Sequence, residues 1–193
     1  DKRLLLATAA KFLLVSRGGP WPLANIRGNE ARADGGEAAN KENVHYHYDL
    51  SNAFYELFLD PEMIYSCAYF TGDHNDIATA QRDKLDMICR KLRLAPGERL
   101  LDIGCGWGGL VCHAARYHGV TAHGVTLSQA QFDFAREKIG RLGLADRVTV
   151  ELKDFRHLAG TFDKIDSIGM FEHVGLANRD AYYRQMRDLL RPR

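Results

Sequence analysis

The sequence is poor in several things that would place it at once. Cysteine occurs at four positions, Cys67, Cys89, Cys105 and Cys112, and never as a CxxC pair. No Cys/His spacing resembles a structural zinc site, and no metal is expected. Reduced thiols, and with them a cytoplasmic setting, are the simplest reading. The formal net charge is only +1, so no strong field steers the chain toward DNA or RNA, and no nucleic-acid partner is expected. The apolar run from Lys2 to Val15 falls short of the roughly 20 residues that span a bilayer. An initiating methionine is lacking too. The chain opens at Asp1 and stops at Leu189-Leu190-Arg191-Pro192-Arg193, where a helix finishes and a further strand is expected. It therefore reads as a fragment.

What is present is enough for a core. Hydrophobic residues make up 46% of 193 residues, which suits one ordinary domain with an appendage. Residues 1–42 read as an N-terminal helix and a linker. The Lys2–Val15 helix either packs its apolar side on the protein or lies on a membrane surface. Gly18-Gly19-Pro20 and Gly35-Gly36 punctuate the linker.

Residues 43–98 read as a helical, aromatic lid. Ser51 is a good N-cap for a helix from Asn52 to Leu59, with Ala53, Phe54, Leu57 and Phe58 on one face and Asp60-Pro61 as its stop. Met63 to Phe70 is an aromatic segment that is neither clean helix nor clean strand. It is either a small aromatic core over a sheet edge or a lid whose ring faces handle a cation or an apolar chain. Gln81 to Leu94 reads as a helix with Leu85, Ile88 and Leu92 inward. Its Arg82, Lys84, Arg90, Lys91 and Arg93 read as a solvated face, or as a face for anionic headgroups.

Residues 99–193 carry the organising stretch, Leu100-Leu101-Asp102-Ile103-Gly104-Cys105-Gly106-Trp107-Gly108-Gly109. It reads as a buried parallel strand, a glycine turn and the start of a helix, the arrangement of a nucleotide-type site. Helix Leu110–His118, strand Val120–Val125, helix Gln129–Leu142 capped by Ser128, strand Val148–Leu152, a strand within Phe162–Met170 and a helix from Asn178 to Leu190 follow. The alternation predicts an α/β, doubly wound parallel sheet. Ligands in such sheets bind at strand C-termini, which places Gly104, Thr126, Asp154 and Glu172 around one crevice. Cys105 and Cys112 read as small core residues.

The spacing also says which nucleotide. A dinucleotide site wants GxGxxG and a carboxylate ending the second strand. Here the spacing is GxGxGG and the strand ends Val125-Thr126-Leu127-Ser128. No Gly-Lys-Ser/Thr marks a phosphate loop. Asp102 disfavours a pyrophosphate and suits a cationic amino acid end. S-adenosylmethionine, with an ammonium and a sulfonium, fits better than a nicotinamide dinucleotide.

Several segments then resemble, together and in order, the cyclopropane-fatty-acyl-phospholipid synthases and mycolic acid cyclopropane synthases. They are His45-Tyr46-His47-Tyr48-Asp49-Leu50-Ser51, Phe58-Leu59-Asp60-Pro61, Tyr65-Ser66-Cys67-Ala68-Tyr69-Phe70, Leu100–Gly109, Gly124-Val125-Thr126-Leu127-Ser128 with Gln131, and Ser167-Ile168-Gly169-Met170-Phe171-Glu172-His173-Val174-Gly175. The resemblance covers roughly Asn43 to Arg193. It implies a Rossmann-like class I methyltransferase sheet lacking its C-terminal strands. It implies S-adenosylmethionine as methyl donor, bicarbonate as bound base, and methylene transfer to a cis double bond of an unsaturated phospholipid acyl chain.

By position, Tyr65 and Ser66 resemble contacts to the amino acid end of the donor. Asp102, Gly104 and Gly106 line it, Thr126, Leu127 and Gln131 hold the ribose region, and Phe155 and Arg156 border the adenine, where some relatives carry Trp and Glu. Cys67 and Glu172 resemble bicarbonate ligands. The family setting implies a site peripheral to the inner face of the membrane, and a homodimer is possible. Further bicarbonate ligands in the family lie downstream of this chain, so the fragment is expected to keep the donor crevice without full catalysis. Two other classes stay open: a methyltransferase acting on a small amine, and an inactive cofactor- or lipid-binding protein. His45 and His47 lack a third ligand at sensible spacing for a metal.

Overall fold

The structure, a computed structural model, describes residues 51–72 and 76–192. The expectations for the N-terminal helix, the linker, His45, Tyr46 and His47 lie outside the described residues.

The sheet has four parallel strands, β1 (Arg99–Ile103), β2 (Thr121–Thr126), β3 (Val148–Leu152) and β4 (Lys164–Asp166), in the order β3-β2-β1-β4. The chain builds outward from β1 to β3, then crosses back to lay β4 on the other side of β1. That reversal creates the crevice at the C-terminal ends of β1 and β4, where such sheets bind ligands. The α/β, doubly wound reading stands.

Helices α3 (Gly109–His118) and α4 (Gln129–Arg141) follow β1 and β2, and α5 (Arg179–Leu189) closes the described chain. Along β1 the side chains alternate, as strand geometry requires. Leu100 joins Leu85, Ile88, Cys89, Val111, Ala114, Val120 and Ile139 in one core. Leu101 and Ile103 join Val125, Leu158, Phe162, Val174, Tyr182 and Leu189 in a second core on the opposite face. Cys105 and Cys112 are buried, as expected of small core residues.

Ahead of the sheet lie α1 (Asn52–Glu56) and α2 (Ile77–Leu92). Helix α2 starts four residues before the pattern suggested, because Asp76 accepts the Thr79 amide at 2.7 Å and caps it there. It ends at Arg93, which takes a left-handed conformation.

Helix α1 corrects the reading more deeply. It is five residues long, and Ser51 makes no side-chain cap. Its expected inward face is outward: Phe54, Leu57 and Phe58 are 44%, 81% and 50% exposed. Tyr55 points in instead and packs on Trp107 with ring centroids 4.9 Å apart, beside Met63. One turn of helix cannot choose its own buried face, so the large indole available on the sheet side decides it.

Among the described residues no helix is long and apolar enough to cross a membrane.

Candidate active site

The crevice is built from four chain segments that β1 brings together. Directly after β1, the Gly104 and Cys105 amides both donate to the Val125 carbonyl, at 2.9 and 3.0 Å. This folds the glycine turn over the end of β2. Gly104 has φ +89°, and a Cβ there would stand 2.9 Å from Met170 Cγ, so no larger residue fits between the turn and the loop after β4. Gly106, at φ +54°, would point its Cβ into open space. Gly104 is thus closed by protein, while Gly106 is open for a ligand.

The loop after β4 is held by Ser167, whose hydroxyl donates to the Ile103 carbonyl at 2.8 Å. It then turns through a single 3-10 turn, Phe171–His173. A Cβ on Gly169 would lie 3.7 Å from Ser66 Cβ, so this loop touches the aromatic segment. Tyr65-Ser66-Cys67 and the loop carrying Glu172 therefore meet at one corner. The Glu172 side chain lies outside the described residues.

At the end of β2, the Thr126 hydroxyl donates to Gln131 Oε1 at 2.7 Å and accepts the Ser128 amide at 3.2 Å. Ser128 caps α4 by accepting the Gln131 amide at 3.3 Å. Thr126 and Gln131 are both buried. Because Gln131 Oε1 accepts from Thr126, its amide N–H2 end is the donor end of this neutral pair. Leu127 is half-buried between them.

After β3, Asp154 accepts from the Arg156 amide (2.9 Å), Nε (3.0 Å) and Nη2 (2.7 Å). The guanidinium beside Asp154 holds its carboxyl below the ordinary range, against the opposing effect of burial. Arg156 is thereby committed to a forked ion pair, and Phe155 stacks edge-on against Tyr182 at 5.1 Å. Both side chains are thus held by protein partners.

The structure also exposes a pair that no spacing could announce. Asp102 on β1 stands directly opposite Asp166 on β4 in the parallel register. Both are buried, and neither Asp166 oxygen meets a donor from any other group. Burial pushes both above the usual carboxylate range; the charge and hydrogen bonding of Asp102 add to this on Asp166, whereas hydrogen bonding to Asp166 partly offsets it on Asp102. Two buried carboxyls at paired positions of neighbouring strands resist carrying two charges at once.

The aromatic segment is fixed from beneath. Trp107 Nε1 donates to Asn52 Oδ1 at 2.8 Å, and Asn52 Nδ2 reaches the Ala130 carbonyl at 3.4 Å. Asp60 accepts the Glu62 and Ile64 amides at 3.0 and 2.9 Å. Buried Lys138 holds both the carbonyl and the carboxylate of Glu62. Tyr65, Tyr69 and Phe70 remain 55%, 47% and 55% exposed, and Cys67 is exposed.

One basic residue departs from its expected place. Lys84, read as part of a solvated face, is 5% exposed and lies under this segment.

Cys89, His113 and His118 also gather, with ligand atoms within 4.8 Å of one another. His113 is bound to Asp86 at 2.9 Å. The Cys89 thiol is pushed up to about 12, chiefly by burial, which keeps it protonated in the core.

Comparison with known proteins now decides the family. The family described as Mycolic acid cyclopropane synthetase matches residues 36–193. The chain belongs to this cyclopropane synthetase family. It is 50% identical over 147 residues to a Pseudomonas putida protein named "Probable fatty acid methyltransferase", covering 75% of this chain and 37% of that one. It is 48% identical over 146 residues to the cyclopropane-fatty-acyl-phospholipid synthase of Escherichia coli K12, covering 76% and 37%.

Among solved structures, the cyclopropane synthase MmaA2 of Mycobacterium tuberculosis superposes with a TM-score of 0.76 at 37% identity, over 79% of this chain and 53% of that one. The mycolic acid cyclopropane synthase CmaA1, complexed with SAH and CTAB, gives 0.75 at 39% identity, over 78% and 53%. The chain spans about a third to a half of the length of these relatives. The cyclopropane synthetase resemblance seen in the sequence stands. So does the class I S-adenosylmethionine methyltransferase fold, which these structural neighbours share.

Proposed function

We propose that this chain supplies the donor-binding half of an S-adenosylmethionine-dependent enzyme that adds a methylene to a cis double bond of a lipid acyl chain. The observation that carries the reading is the meeting of Ser66 with Gly169 and of Met170 with Gly104. It joins the aromatic segment, the Glu172 loop and the glycine turn at the β1/β4 crevice. S-adenosylmethionine, when bound, supplies an electrophilic methyl group. Open space at Gly106, the buried carboxyl pair and the Thr126–Gln131 pair fit its cationic amino acid end and its ribose.

In this reading Tyr65 and Ser66 hold the amino acid end, Asp102, Gly104 and Gly106 line the donor, and Thr126, Leu127 and Gln131 hold the ribose. Phe155 and Arg156 border the adenine. An alkene is a weak nucleophile and must be held in line with the methyl. A cation on the chain must be kept from water, and aromatic faces such as Tyr69 and Phe70 can stabilise it without attacking it. Cys67 and Glu172 are the proposed holders of a bicarbonate base. Cys67 lies within electrostatic reach of Lys84, which suits an anion there. The acyl chain would come from unsaturated phospholipid at the inner membrane face, where the exposed rings of the lid can meet it.

A second reading has one observation behind it. A coclaurine N-methyltransferase bound to N-methylheliamine and SAH superposes with a TM-score of 0.75 at 25% identity, over 98% of this chain and 56% of that one. Incubation with S-adenosylmethionine, vesicles of unsaturated phospholipid and a panel of small amines separates the two, with products read by mass spectrometry. Acyl chains heavier by one carbon unit support the lipid reading, whereas a methylated amine with unchanged lipid overturns it. Absence of S-adenosylhomocysteine binding by calorimetry would remove both.

A further inference from the structure

Lys84 is the one lysine of α2 that the helix turns inward, and its burial needs a reason. Its Nζ donates to Ser66 Oγ at 2.6 Å. One turn earlier, Gln81 Nε2 donates to the carbonyls of Ile64 and Ser66, at 3.2 and 2.9 Å. The Ala80 carbonyl accepts the Tyr69 amide at 3.2 Å. One face of α2 thus fastens the Ile64–Tyr69 segment at three points, and two of those links need only neutral groups. The third uses a buried charge against a neutral hydroxyl, which is an expensive way to fasten a loop. Burial lowers Lys84 to about 8, although Asp60 and Cys67 pull it back up. The Asp60 oxygens accept the Glu62 and Ile64 amides, and the hydrogen-bond partner of the Lys84 ammonium is the neutral Ser66 hydroxyl.

The value of the arrangement lies in what it does to Ser66. A serine hydroxyl has one proton to give and lone pairs to accept with. Lys84 has no acceptor, so Ser66 must accept from it, and the hydroxyl proton is left to point elsewhere. A hydroxyl polarised by an adjacent cation is a stronger donor. Ser66 also borders the loop after β4, since a Cβ on Gly169 would lie 3.7 Å from its own Cβ, and in that same loop Met170 closes on Gly104.

We infer that Lys84 is a positioning residue that fixes Ser66 as a hydrogen-bond donor to a carboxylate, that of the amino acid end of the methyl donor. This rests on the reading of the crevice as an S-adenosylmethionine site. It goes beyond that reading by assigning the carboxylate's recognition to a buried ammonium acting through a hydroxyl.

Two probes separate this role from simple fastening. S-adenosylhomocysteine carries the carboxylate, whereas 5′-methylthioadenosine keeps the adenosine and sulfur without the amino acid end. Calorimetric titration of the 193-residue chain with both is compared for wild type, Lys84→Met, Ser66→Ala and the double variant. Lys84→Met is expected to weaken S-adenosylhomocysteine about tenfold or more, the range of a hydrogen bond to a charged group. Methylthioadenosine affinity should change less than about twofold. Ser66→Ala should show the same selectivity, and the double variant should be no worse than the weaker single one, since both act on one contact. The melting temperature of Lys84→Met should equal or exceed that of wild type.

Equal weakening of both probes, additive losses, or a clear drop in melting temperature with unchanged probe selectivity would overturn the inference. If Lys84→Met does not fold, Ser66→Ala alone must still discriminate between the probes, or the inference fails. Wild type that binds both probes equally removes the carboxylate contact while leaving a nucleoside site standing. Wild type that binds neither removes the donor-site reading itself.

Discussion

The sheet and the aromatic segment ahead of it obey different rules. In the sheet, the apolar side chains of β1 and β2 are almost wholly buried in two cores. Its local geometry follows from pleat, crossover and glycine turn. In the segment from α1 to Phe70, six large apolar side chains stay 44% or more exposed. Order there comes instead from Trp107–Asn52, Asp60, Lys138–Glu62 and the Gln81 and Lys84 contacts. A region held by a few directed bonds over an incomplete apolar surface is suited to covering a site, and a region held by burial is suited to positioning it.

The largest effect should come where the two regions share one side chain. Trp107→Ala removes a 2%-exposed indole from the junction and should cost about 3–5 kcal/mol. Denaturant unfolding and protease cleavage near Tyr55 would read it, and a loss below about 1 kcal/mol would mean that the aromatic segment is not anchored there. Gly104→Ala comes next. It forces a side chain into a left-handed backbone and against Met170 at 2.9 Å, for about 1–3 kcal/mol. It should also abolish measurable donor binding, and wild-type affinity in this variant would show that the turn can give way.

Asp166→Asn tests the sheet's own weak point, at about 1–2 kcal/mol. Asp102 is pushed up to about 7 by burial, above its unfolded value near 4. A carboxyl with a raised folded pKa binds more protons folded than unfolded. Its contribution is therefore most favourable at low pH and is lost as pH rises from about 4 through about 7. Wild type should become less stable across that window. The variant, with an amide to donate to Asp102, should lose most of this slope, and parallel slopes in thermal melts would refute the coupling of the two carboxyls. The smallest effect is expected at Leu57, which is 81% exposed. Leu57→Ser should change stability by less than about 0.5 kcal/mol, yet weaken sedimentation with phospholipid vesicles. Unchanged sedimentation would detach the exposed aromatic face from lipid.

Most of the fold was legible in order along the chain. Strand Val148–Leu152 falls where the alternation put it, and α4 runs from Gln129 under a Ser128 cap, because caps, turns and periodicity are properties of neighbours in sequence. The glycine turn after β1 was legible for the same reason, as a short pattern of glycines following a buried strand. The partnership of Arg156 with Asp154 was not legible, because a side-chain fork rather than a motif decides it.

Three features needed the tertiary structure. Asp102 and Asp166 meet because β4 lies beside β1 in a particular register, and sequence order alone leaves both neighbour and register open. Tyr55 turns inward because Trp107 offers it a surface from a distant part of the chain. Lys84 has the sequence of a solvent-facing lysine and the position of a buried one, because the aromatic segment folds back over that face of α2. Local pattern sets which elements form and where the backbone turns, since those energies are short-range. Which polar groups are buried together depends on which elements touch, and packing across the whole fold decides that.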